Sequence, residues 1–371
     1  MKILQVNKFY SPWIGGVERI VQQITEGLNE KNNFKIEVLC CDHNKKGKEE
    51  KINGVKVYHA SSFGIFWGLP ISLDFFRLFK KLSQKVDIID FHHPFPLGDL
   101  AIFLFRPKAK LIVHYHSDIV RQKALSFLIN PFILNTLKKA EKIIVSNPNL
   151  IESSSCLRKF KQKCQIISFG VDLKEIENSL SEQEQRKIKE KYGRFVLFVG
   201  RLNYYKGVDY LIEAMKDIGA NLVVIGEGKE KERLKLKVER LKLGDRVFFL
   251  SHQPREKLIN FYGASEVFVL PSIFKSEAFG IVLIEAMVCG KPVVSTELGT
   301  GTSWININEK TGFVVPPKDS RSLAKVINKI LENKKLAEEF SKNAKKRVKE
   351  NFSLDKMLKE TEGVYREIVL F

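Results

Sequence analysis

The sequence predicts an α/β protein with two domains, each built on a parallel β-sheet that helices cover on both faces. The chain has 371 residues, and one domain usually holds about 100–200 residues, so two hydrophobic cores are expected. In both halves, short apolar runs alternate with amphipathic segments. This alternation is typical of β-α units joined by right-handed crossovers. We therefore expect two Rossmann-like domains.

The first domain is expected at residues 1–175. Its first strand is the apolar run at residues 2–6, and the spacing of the apolar residues over 17–28 then gives one face of a helix. This start predicts a strand rather than a secretion signal. Further strands are predicted at residues 35–40, 55–58, 86–90, 110–114 and 142–146.

The second domain is expected at residues 190–353. Between the two domains, residues 172–192 are polar and rich in charge, so we place the boundary there. A last helix at residues 354–371 is expected to return to the first domain. The strands of the second domain are predicted at residues 195–200, 221–225, 246–250, 267–270 and 292–295.

The composition indicates an anionic partner and a reducing environment. The 62 Lys and Arg residues exceed the 43 Asp and Glu residues, which gives a net charge of +19. Such an excess suits nucleic acid, an anionic membrane or a phosphorylated ligand. The five cysteines follow no CxxC spacing and predict neither a disulfide framework nor a zinc site. We expect a cytoplasmic protein.

Two glutamates define the most specific candidate site. Glu277 stands at the mouth of a predicted helix at residues 278–289, and Glu285 lies inside that helix. A helix N-terminus suits a phosphate, so a ligand with hydroxyl groups on both sides of a diphosphate, such as a nucleotide sugar, would fit here. An ordinary amphipathic helix with a capping carboxylate explains the pattern equally well. The N–H groups expected to face the phosphate are those of Phe279, Gly280 and Ile281.

Two cations follow the first predicted strand of the second domain. Arg201 and Lys206 leave its carboxyl end, which is where open α/β sheets bind their ligands. Together they would neutralise a diphosphate and stabilise its departure. Taken singly, each is an ordinary surface charge.

Three polar residues end a strand of the first domain. His114 and His116 share one face of the strand end, and Asp118 is a candidate helix cap. The HxH spacing suggests a metal, but a third ligand is not evident nearby, and we expect no bound metal. The pair His92-His93 before a proline predicts a loop.

Two glycine motifs also follow predicted strands. Gly15-Gly16 precedes a helix and would let the backbone approach a ligand, but the GxGxxG of a dinucleotide site is missing, which disfavours an oxidoreductase. The run Gly226-Glu227-Gly228 would wrap a nucleobase or simply turn the chain.

In this order along the chain, these motifs resemble the family 4 glycosyltransferases of the GT-B fold. The resemblance covers nearly the whole sequence, and the two glutamates separated by seven residues, followed by EAMVCGKPVV, are its most specific part. The segments YHSDIVRQK and ELGTGTSW are similar to those of the mannosyltransferase-type branch that builds bacterial surface polysaccharides and lipopolysaccharide.

The resemblance implies two domains facing across a cleft and a retaining transfer of a hexose without a metal cofactor. The donor would be a nucleotide sugar, with a GDP-sugar such as GDP-mannose favoured over a UDP-sugar. The acceptor would be a glycan or a sugar linked to polyprenyl diphosphate. A nucleotide-sugar epimerase or hydrolase of the same fold, and a non-catalytic basic protein that binds nucleotide sugars or nucleic acid, are the alternatives.

The resemblance also implies roles for single residues. Arg201 and Lys206 would hold the diphosphate, Glu277 the hydroxyls of the transferred sugar, and Glu285 the ribose. His116 would lie near the transferred sugar. Gly16 would contact the donor phosphate or the acceptor, and Gly226 and Glu227 would lie at the nucleotide.

The positive charge is concentrated at residues 121–163, where nine Lys and Arg residues surround apolar ones. Basic residues around an apolar stretch indicate a surface that lies on an anionic bilayer, and the apolar run at residues 63–67 would add to it. These residues fit equally well as the core of an α/β domain with solvated lysines. No nucleic-acid motif supports a nucleic-acid partner. We expect peripheral association with the inner face of the cell membrane.

Overall fold

The computed structural model describes residues 1–13, 15–30, 34–43, 46–66, 68–118 and 123–370, and their side chains except those of 123–127 and 370. The chain divides into two compact units. The first contains Met1–Phe169 and Leu354–Phe371, and the second contains Gly170–Ser353.

The first unit is an eight-stranded sheet with an added two-stranded hairpin. Its strand order is β10-β9-β8-β7-β1-β2-β4-β3, and only the β3–β4 pair of this sheet is antiparallel. The hairpin consists of β5 and β6. The strands are β1 (Lys2–Val6), β2 (Lys35–Cys41), β3 (Lys48–Ile52), β4 (Val55–Ala60), β5 (Gly64–Phe66), β6 (Leu69–Ile71), β7 (Ile88–His93), β8 (Lys110–Tyr115), β9 (Lys142–Val145) and β10 (Cys164–Ile166).

Both faces of this sheet are covered, so residues on both sides of its central strands are buried. On β2, Val38 and Cys40 pack into one buried cluster, and the alternate residues Leu39 and Cys41 pack into another. The covering helices are α1 (Gly16–Asn29), α2 (Leu73–Ser83), α3 (Pro96–Phe105), α4 (Lys123–Lys139) and α5 (Pro148–Ser153).

The second unit is a six-stranded parallel sheet in the order β13-β12-β11-β14-β15-β16. Strand order reverses between β11 and β14, and open α/β sheets bind ligands beyond the carboxyl ends of the strands at such a point. The strands are β11 (Phe195–Val199), β12 (Asn221–Ile225), β13 (Val247–Leu250), β14 (Val267–Leu270), β15 (Val293–Thr296) and β16 (Gly312–Val315).

The helices of the second unit include the segment expected to be the domain boundary. Most of the charged residues 172–192 form two helices of this unit, which begins at Gly170. The helices are α6 (Leu173–Asn178), α7 (Glu182–Tyr192), α8 (Val208–Ala214), α9 (Lys231–Arg240), α10 (Arg255–Ala264), α11 (Ile281–Val288), α12 (Gly301–Ile305), α13 (Ser320–Glu332) and α14 (Lys334–Asn351).

The last helix, α15 (Leu354–Leu370), belongs to the first unit. It packs on α1, where a Cβ atom added to Gly27 would lie 2.5 Å from Leu358. Its Tyr365 is fully buried and reaches the polar centre of the first sheet. Among the described residues, no helix combines the length and apolar character that crossing a bilayer requires.

Two predictions were wrong about local structure. His92 and His93 lie inside β7, fully paired with β8, and not in a loop. Helix α11 begins at Ile281 and not at 278, because Gly280 takes a left-handed conformation with φ of 92° that a continuing helix excludes.

Candidate functional site

The loops after β11 and β14 bring together one lysine and one glutamate. Lys206 ends a single helical turn at Tyr204–Lys206, and Glu277 lies in the loop before α11. Lys206 Nζ donates to Glu277 Oε2 at 2.5 Å, and Ser272 Oγ donates to the same oxygen at 2.9 Å. Both residues were predicted to lie in the site, but their contact was not predicted.

This ion pair is buried. Lys206 and Glu277 are each 8% exposed. Burial by itself would lower the Lys206 pKa, but the charge and hydrogen bond of Glu277 together with Tyr205 outweigh burial, and the pKa is raised above the ordinary lysine value. The pair therefore places a permanent cation and a carboxylate at the point where the strand order reverses.

A second cation adds to the charge of this loop. Arg201 is exposed at the carboxyl end of β11, and its positive charge acts against that of Lys206. Two cations this close repel each other, so an anion that contacts both would be bound favourably. The arrangement suits a diphosphate.

Glycines set how closely the loops approach one another. Gly207 has φ of 64°, and a Cβ atom there would lie 2.1 Å from the Pro271 carbonyl oxygen. A Cβ atom on Gly226 would lie 2.0 Å from the carbonyl oxygen of Gly200. The loops that follow β11, β12 and β14 thus touch through backbone atoms, which holds Lys206 in place.

Glu227 supports this loop contact and is itself exposed. Its backbone oxygen accepts a hydrogen bond from Leu202 N at 2.8 Å, and its carboxylate accepts one from Lys231 Nζ at 2.8 Å. The Lys231 hydrogen bond lowers the Glu227 pKa. The structure therefore gives Glu227 a part in holding the loop after β11.

The start of α11 differs from the expected phosphate site. Phe279 and Gly280 precede the helix, and Ile281 is its first residue. The Leu283 N–H donates to the Gly280 oxygen at 2.9 Å. The N–H groups at the first turn are therefore those from Ile281 onward, two residues later than predicted.

Glu285 lies within α11 and has protein partners for both carboxylate oxygens. Arg255 Nη1 donates to its Oε1 at 2.5 Å, and Tyr262 donates to its Oε2 at 3.0 Å. Arg255 Nε also donates to Glu175 Oε1 at 3.2 Å. Burial raises the Tyr262 pKa well above its usual range, and the Glu285 carboxylate raises it further.

Arg255 is a site residue that the sequence analysis missed. Its Nη2 atom is buried and has no hydrogen-bond partner in the described part of the chain. A buried N–H donor beside Glu285 is a group that a ligand could satisfy. No spacing motif links a residue on α10 to one on α11, so only the packed structure reveals it.

His116 follows β8 in the first unit and is 4% exposed. Its ring stacks on His92 with centroids 5.2 Å apart, and His116 Nε2 lies 2.9 Å from His92 Nδ1. Asp118 accepts hydrogen bonds from Tyr115 at 2.5 Å and Ser154 at 2.7 Å. Whether Asp118 caps a helix lies outside the described residues.

Gly16 is the first residue of α1, and a Cβ atom there would meet nothing within 4 Å. Packing therefore does not require glycine at this position. The open space is compatible with a ligand that approaches the backbone.

A buried cluster beneath His116 was not predicted. Side-chain atoms of Asp90, His92 and His114 lie within 4.8 Å of one another. Both ring nitrogens of His92 are already in hydrogen-bonding contacts, with His116 and with Gln5 Oε1 at 2.7 Å. A metal would have to displace one of them, so the cluster is better described as a hydrogen-bonded network.

Two family models match the chain, one in each half. Residues 14–175 match "Glycosyltransferase Family 4", and residues 181–347 match "Glycosyl transferases group 1". The two matches together cover most of the sequence.

Two curated relatives align over nearly their full length. The O-antigen chain mannosyltransferase C of Escherichia coli is 31% identical over 371 residues, which is 100% of this chain and 99% of the relative. The D-rhamnosyltransferase WbpZ of Pseudomonas aeruginosa is 33% identical over 355 residues, covering 95% and 92% of the two chains.

Two solved structures share the fold of this chain at low sequence identity. Sucrose-phosphate synthase from Thermosynechococcus elongatus has a TM-score of 0.83 at 23% identity, covering 99% of this chain and 98% of the other. Anabaena HepE in complex with UDP-glucose has a TM-score of 0.78 at 20% identity, covering 99% and 100%. These likenesses show the fold, two parallel-sheet domains of the GT-B type.

Proposed function

The chain belongs to the glycosyltransferases of the GT-B fold, with a family 4 domain followed by a group 1 domain, and we propose that it transfers mannose from GDP-mannose, with retention of anomeric configuration, to a growing surface glycan. The second unit would bind the donor and the first would present the acceptor. The acceptor is a glycan or a sugar on polyprenyl diphosphate.

One observation carries this proposal: the buried pair of Lys206 and Glu277 beside Arg201, where the strand order of the second sheet reverses. In glycosyl transfer, positive charge develops on the sugar and negative charge on the leaving diphosphate. Lys206 and Arg201 would stabilise the diphosphate, and the Glu277 carboxylate would bind sugar hydroxyls near the positive centre. Fixed charges in a buried site act more strongly than charges in water.

We assign the remaining predicted residues to the same reaction. Glu285, with Arg255, would hold the ribose, while Gly226 and the Gly280–Ile281 turn would approach the nucleotide through their backbones. In the first unit, His116 would contact the sugar, and Gly16 would leave room for the phosphate or the acceptor. No residue of this set is a metal ligand in the proposed reaction.

The choice of mannose is supported by the first curated relative, whose name specifies mannose, while the name of the second specifies D-rhamnose. The choice of GDP rests on the resemblance of the sequence to the mannosyltransferase-type branch. The UDP-glucose in the HepE complex belongs to that distant protein. A thermal-shift panel of GDP, UDP, ADP and TDP tests the base, because a ligand that binds only the folded state raises the melting temperature. The largest rise in melting temperature is expected with GDP. A larger rise with UDP would indicate a UDP-sugar as the donor.

Transfer itself is tested with radiolabelled GDP-mannose and a polyprenyl-diphosphate-linked glycan. Label is expected in the lipid fraction only when the acceptor is present, and the product linkage should keep the donor's anomeric configuration. Release of free sugar or an epimer without acceptor would favour a hydrolase or epimerase. Nucleotide binding without turnover over a broad acceptor panel would favour a binding protein.

We further propose that the first unit binds an anionic membrane through its hairpin. The side chains around β5 and β6 are apolar and exposed, with Phe63 at 65%, Phe66 at 57% and Leu73 at 68% exposure. Exposed aromatic side chains on a chain with a net charge of +19 suit the interface of an acidic bilayer.

Part of the basic stretch that was expected to lie on the membrane has other roles. Ile133 is buried in the core, and Lys163 Nζ donates to the backbone oxygens of Lys138 and Ala140. Leu128 is 66% exposed and remains available. The following members of the predicted surface lie outside the described residues or side chains: Trp67, Arg121, Lys123, Leu125 and Phe127.

Sedimentation with phosphatidylglycerol vesicles at physiological salt tests the membrane proposal. The wild-type chain is expected to sediment with these vesicles and not with phosphatidylcholine vesicles. The double variant Phe63→Ser/Phe66→Ser should lose most of this binding, whereas Leu236→Ser, an exposed residue of the second unit, should not. Equal sedimentation of the wild type and the double variant would show that the hairpin is not part of the membrane-binding surface.

A further inference from the structure

A continuous chain of buried polar contacts connects the last helix to His116. It starts at Tyr365 on α15, passes through Gln5 on β1 and His92 on β7, and ends at His116 after β8. Asp90 lies beside its first members. All five side chains are buried, so water does not compete for these contacts.

Asp90 and Tyr365, at one end of this chain of contacts, determine the orientation of the Gln5 amide. Tyr365 donates its hydroxyl proton to Asp90 Oδ2. Gln5 Nε2 donates to the same Asp90 oxygen at 3.1 Å and to the Tyr365 oxygen at 2.8 Å. A carboxylate only accepts hydrogen bonds, so the amide nitrogen and not the amide oxygen must face Asp90.

This orientation determines where the proton lies on His92. The Gln5 Oε1 atom, which only accepts, is 2.7 Å from His92 Nε2, so that nitrogen carries the proton. Burial lowers the pKa of His92 far below its ordinary value, and His114 nearby lowers it further, so the ring is neutral. His92 Nδ1 therefore has no proton and accepts a hydrogen bond.

His116 is also neutral, and its contact with His92 determines where its proton lies. Burial lowers its pKa well below the ordinary value, with His92 and His114 contributing in the same direction and Asp90 opposing them. The neutral ring donates from Nε2 to His92 Nδ1 over 2.9 Å. His116 Nδ1 then carries a bare lone pair, and this buried atom has no hydrogen-bond partner in the described part of the chain.

We infer that Tyr365, Gln5 and His92 are positioning residues that hold His116 as the Nε2–H tautomer and so present Nδ1 as an acceptor for a hydroxyl group of the sugar substrate. The inference rests on the contact between His116 and sugar proposed above. It gives the carboxy-terminal helix a role in substrate recognition. A buried acceptor without a partner is unfavourable, and a hydrogen bond from a substrate hydroxyl relieves this.

The tautomer can be observed directly in the wild-type chain labelled with ¹⁵N-histidine. Long-range ¹H–¹⁵N correlation spectra distinguish a protonated from a bare ring nitrogen, and a His116→Gln variant identifies the signals. His116 is expected to be neutral, with its proton on Nε2. A proton on Nδ1, or a charged ring at neutral pH, would overturn the inference. This readout does not depend on any transferase activity, so it separates this inference from the proposed function.

A matched pair of variants tests the role in catalysis. His92→Asn keeps an oxygen that can accept from His116 Nε2–H, whereas His92→Leu removes the acceptor. We expect kcat to fall about tenfold or more in His92→Leu and to stay within about threefold of wild type in His92→Asn. Nucleoside diphosphate affinity should be unchanged in both, because the proposed nucleotide site lies in the second unit.

The spectrum of each variant decides between positioning and general damage. In His92→Leu, His116 is expected to populate both tautomers, and in His92→Asn only the Nε2–H form. Equal losses of kcat in the two variants, with unchanged tautomers, would contradict a positioning role for His92. Melting temperatures identify a variant that fails to fold, and the wild-type spectrum still decides the inference in that case.

Discussion

Lys206 Nζ and Glu277 Oε2 lie 2.5 Å apart although 71 residues separate them in the chain. Both side chains are about 10% exposed, so neither charge is well solvated without the other. A buried charge that loses its partner is destabilising by about 3–5 kcal/mol, whereas removal of both charges is often neutral. The pair therefore affects stability and activity in different ways.

A double-mutant cycle separates these two effects. Lys206→Met and Glu277→Gln should each lower the free energy of unfolding by about 3 kcal/mol, and the double variant should recover most of that loss. Urea unfolding measures the stability. Sugar transfer should be lost in all three variants, because both charges act on the reacting groups. Near wild-type turnover in Glu277→Gln would contradict the site assignment.

Arg255 should be as important for donor binding as Glu285. Arg255→Met leaves the Glu285 carboxylate, only 4% exposed, without its cation. We expect nucleoside diphosphate affinity to fall at least tenfold, measured by calorimetry, with a loss of stability of about 3 kcal/mol. Glu175→Gln is the control, since that carboxylate is 39% exposed and should lose little. Equal effects of the two substitutions would mean that Arg255 acts through Glu175.

Alanine substitutions at Gly16 and Gly363 distinguish a glycine that leaves room for a ligand from one that only lowers helix propensity. A Cβ atom at either position would meet nothing within 4 Å, so both alanine variants should fold. Gly363→Ala, in the exposed part of α15, should raise stability by about 1 kcal/mol and leave transfer unchanged. Gly16→Ala should lower transfer several-fold without a loss of melting temperature. Unchanged transfer kinetics in Gly16→Ala would show that Gly16 is not part of the proposed site.

The Lys291 side chain should make the free energy of unfolding depend on pH in the alkaline range. Burial lowers its pKa to about 8 from 10.5. Between these values the unfolded chain binds the proton and the folded chain does not, so this group's contribution to stability rises with pH over that window. Below pH 8 the buried lysine is charged in both states, and it then lowers the free energy of unfolding by its full amount, about 3 kcal/mol.

Lys291→Met tests this contribution. The variant should melt at a higher temperature than wild type at pH 7, and the difference should shrink as the pH rises towards 10. Comparing the two proteins at each pH cancels the titration of the other groups. A constant difference between them over this range would show that the Lys291 pKa is not lowered.

Local patterns in the sequence are enough to predict the α/β class, the strands that begin each unit and several residues that the structure brings together in the second unit. Apolar runs such as residues 2–6 and 267–270 are long enough and bounded clearly enough to predict strands from local patterning. Arg201, Lys206 and Glu277 follow predicted strands, and carboxyl ends of parallel strands gather at one edge, so their general placement was accessible.

The pairing of these residues depends on the packing of distant segments. His92 was predicted to lie in a loop before a proline, yet β7 includes it because Gln5 and His116, which are distant in sequence, satisfy its ring nitrogens. Arg255 reaches Glu285 only because α10 packs on α11. Buried polar groups depend on partners that folding supplies from distant parts of the chain, and local sequence patterns contain no information about those partners.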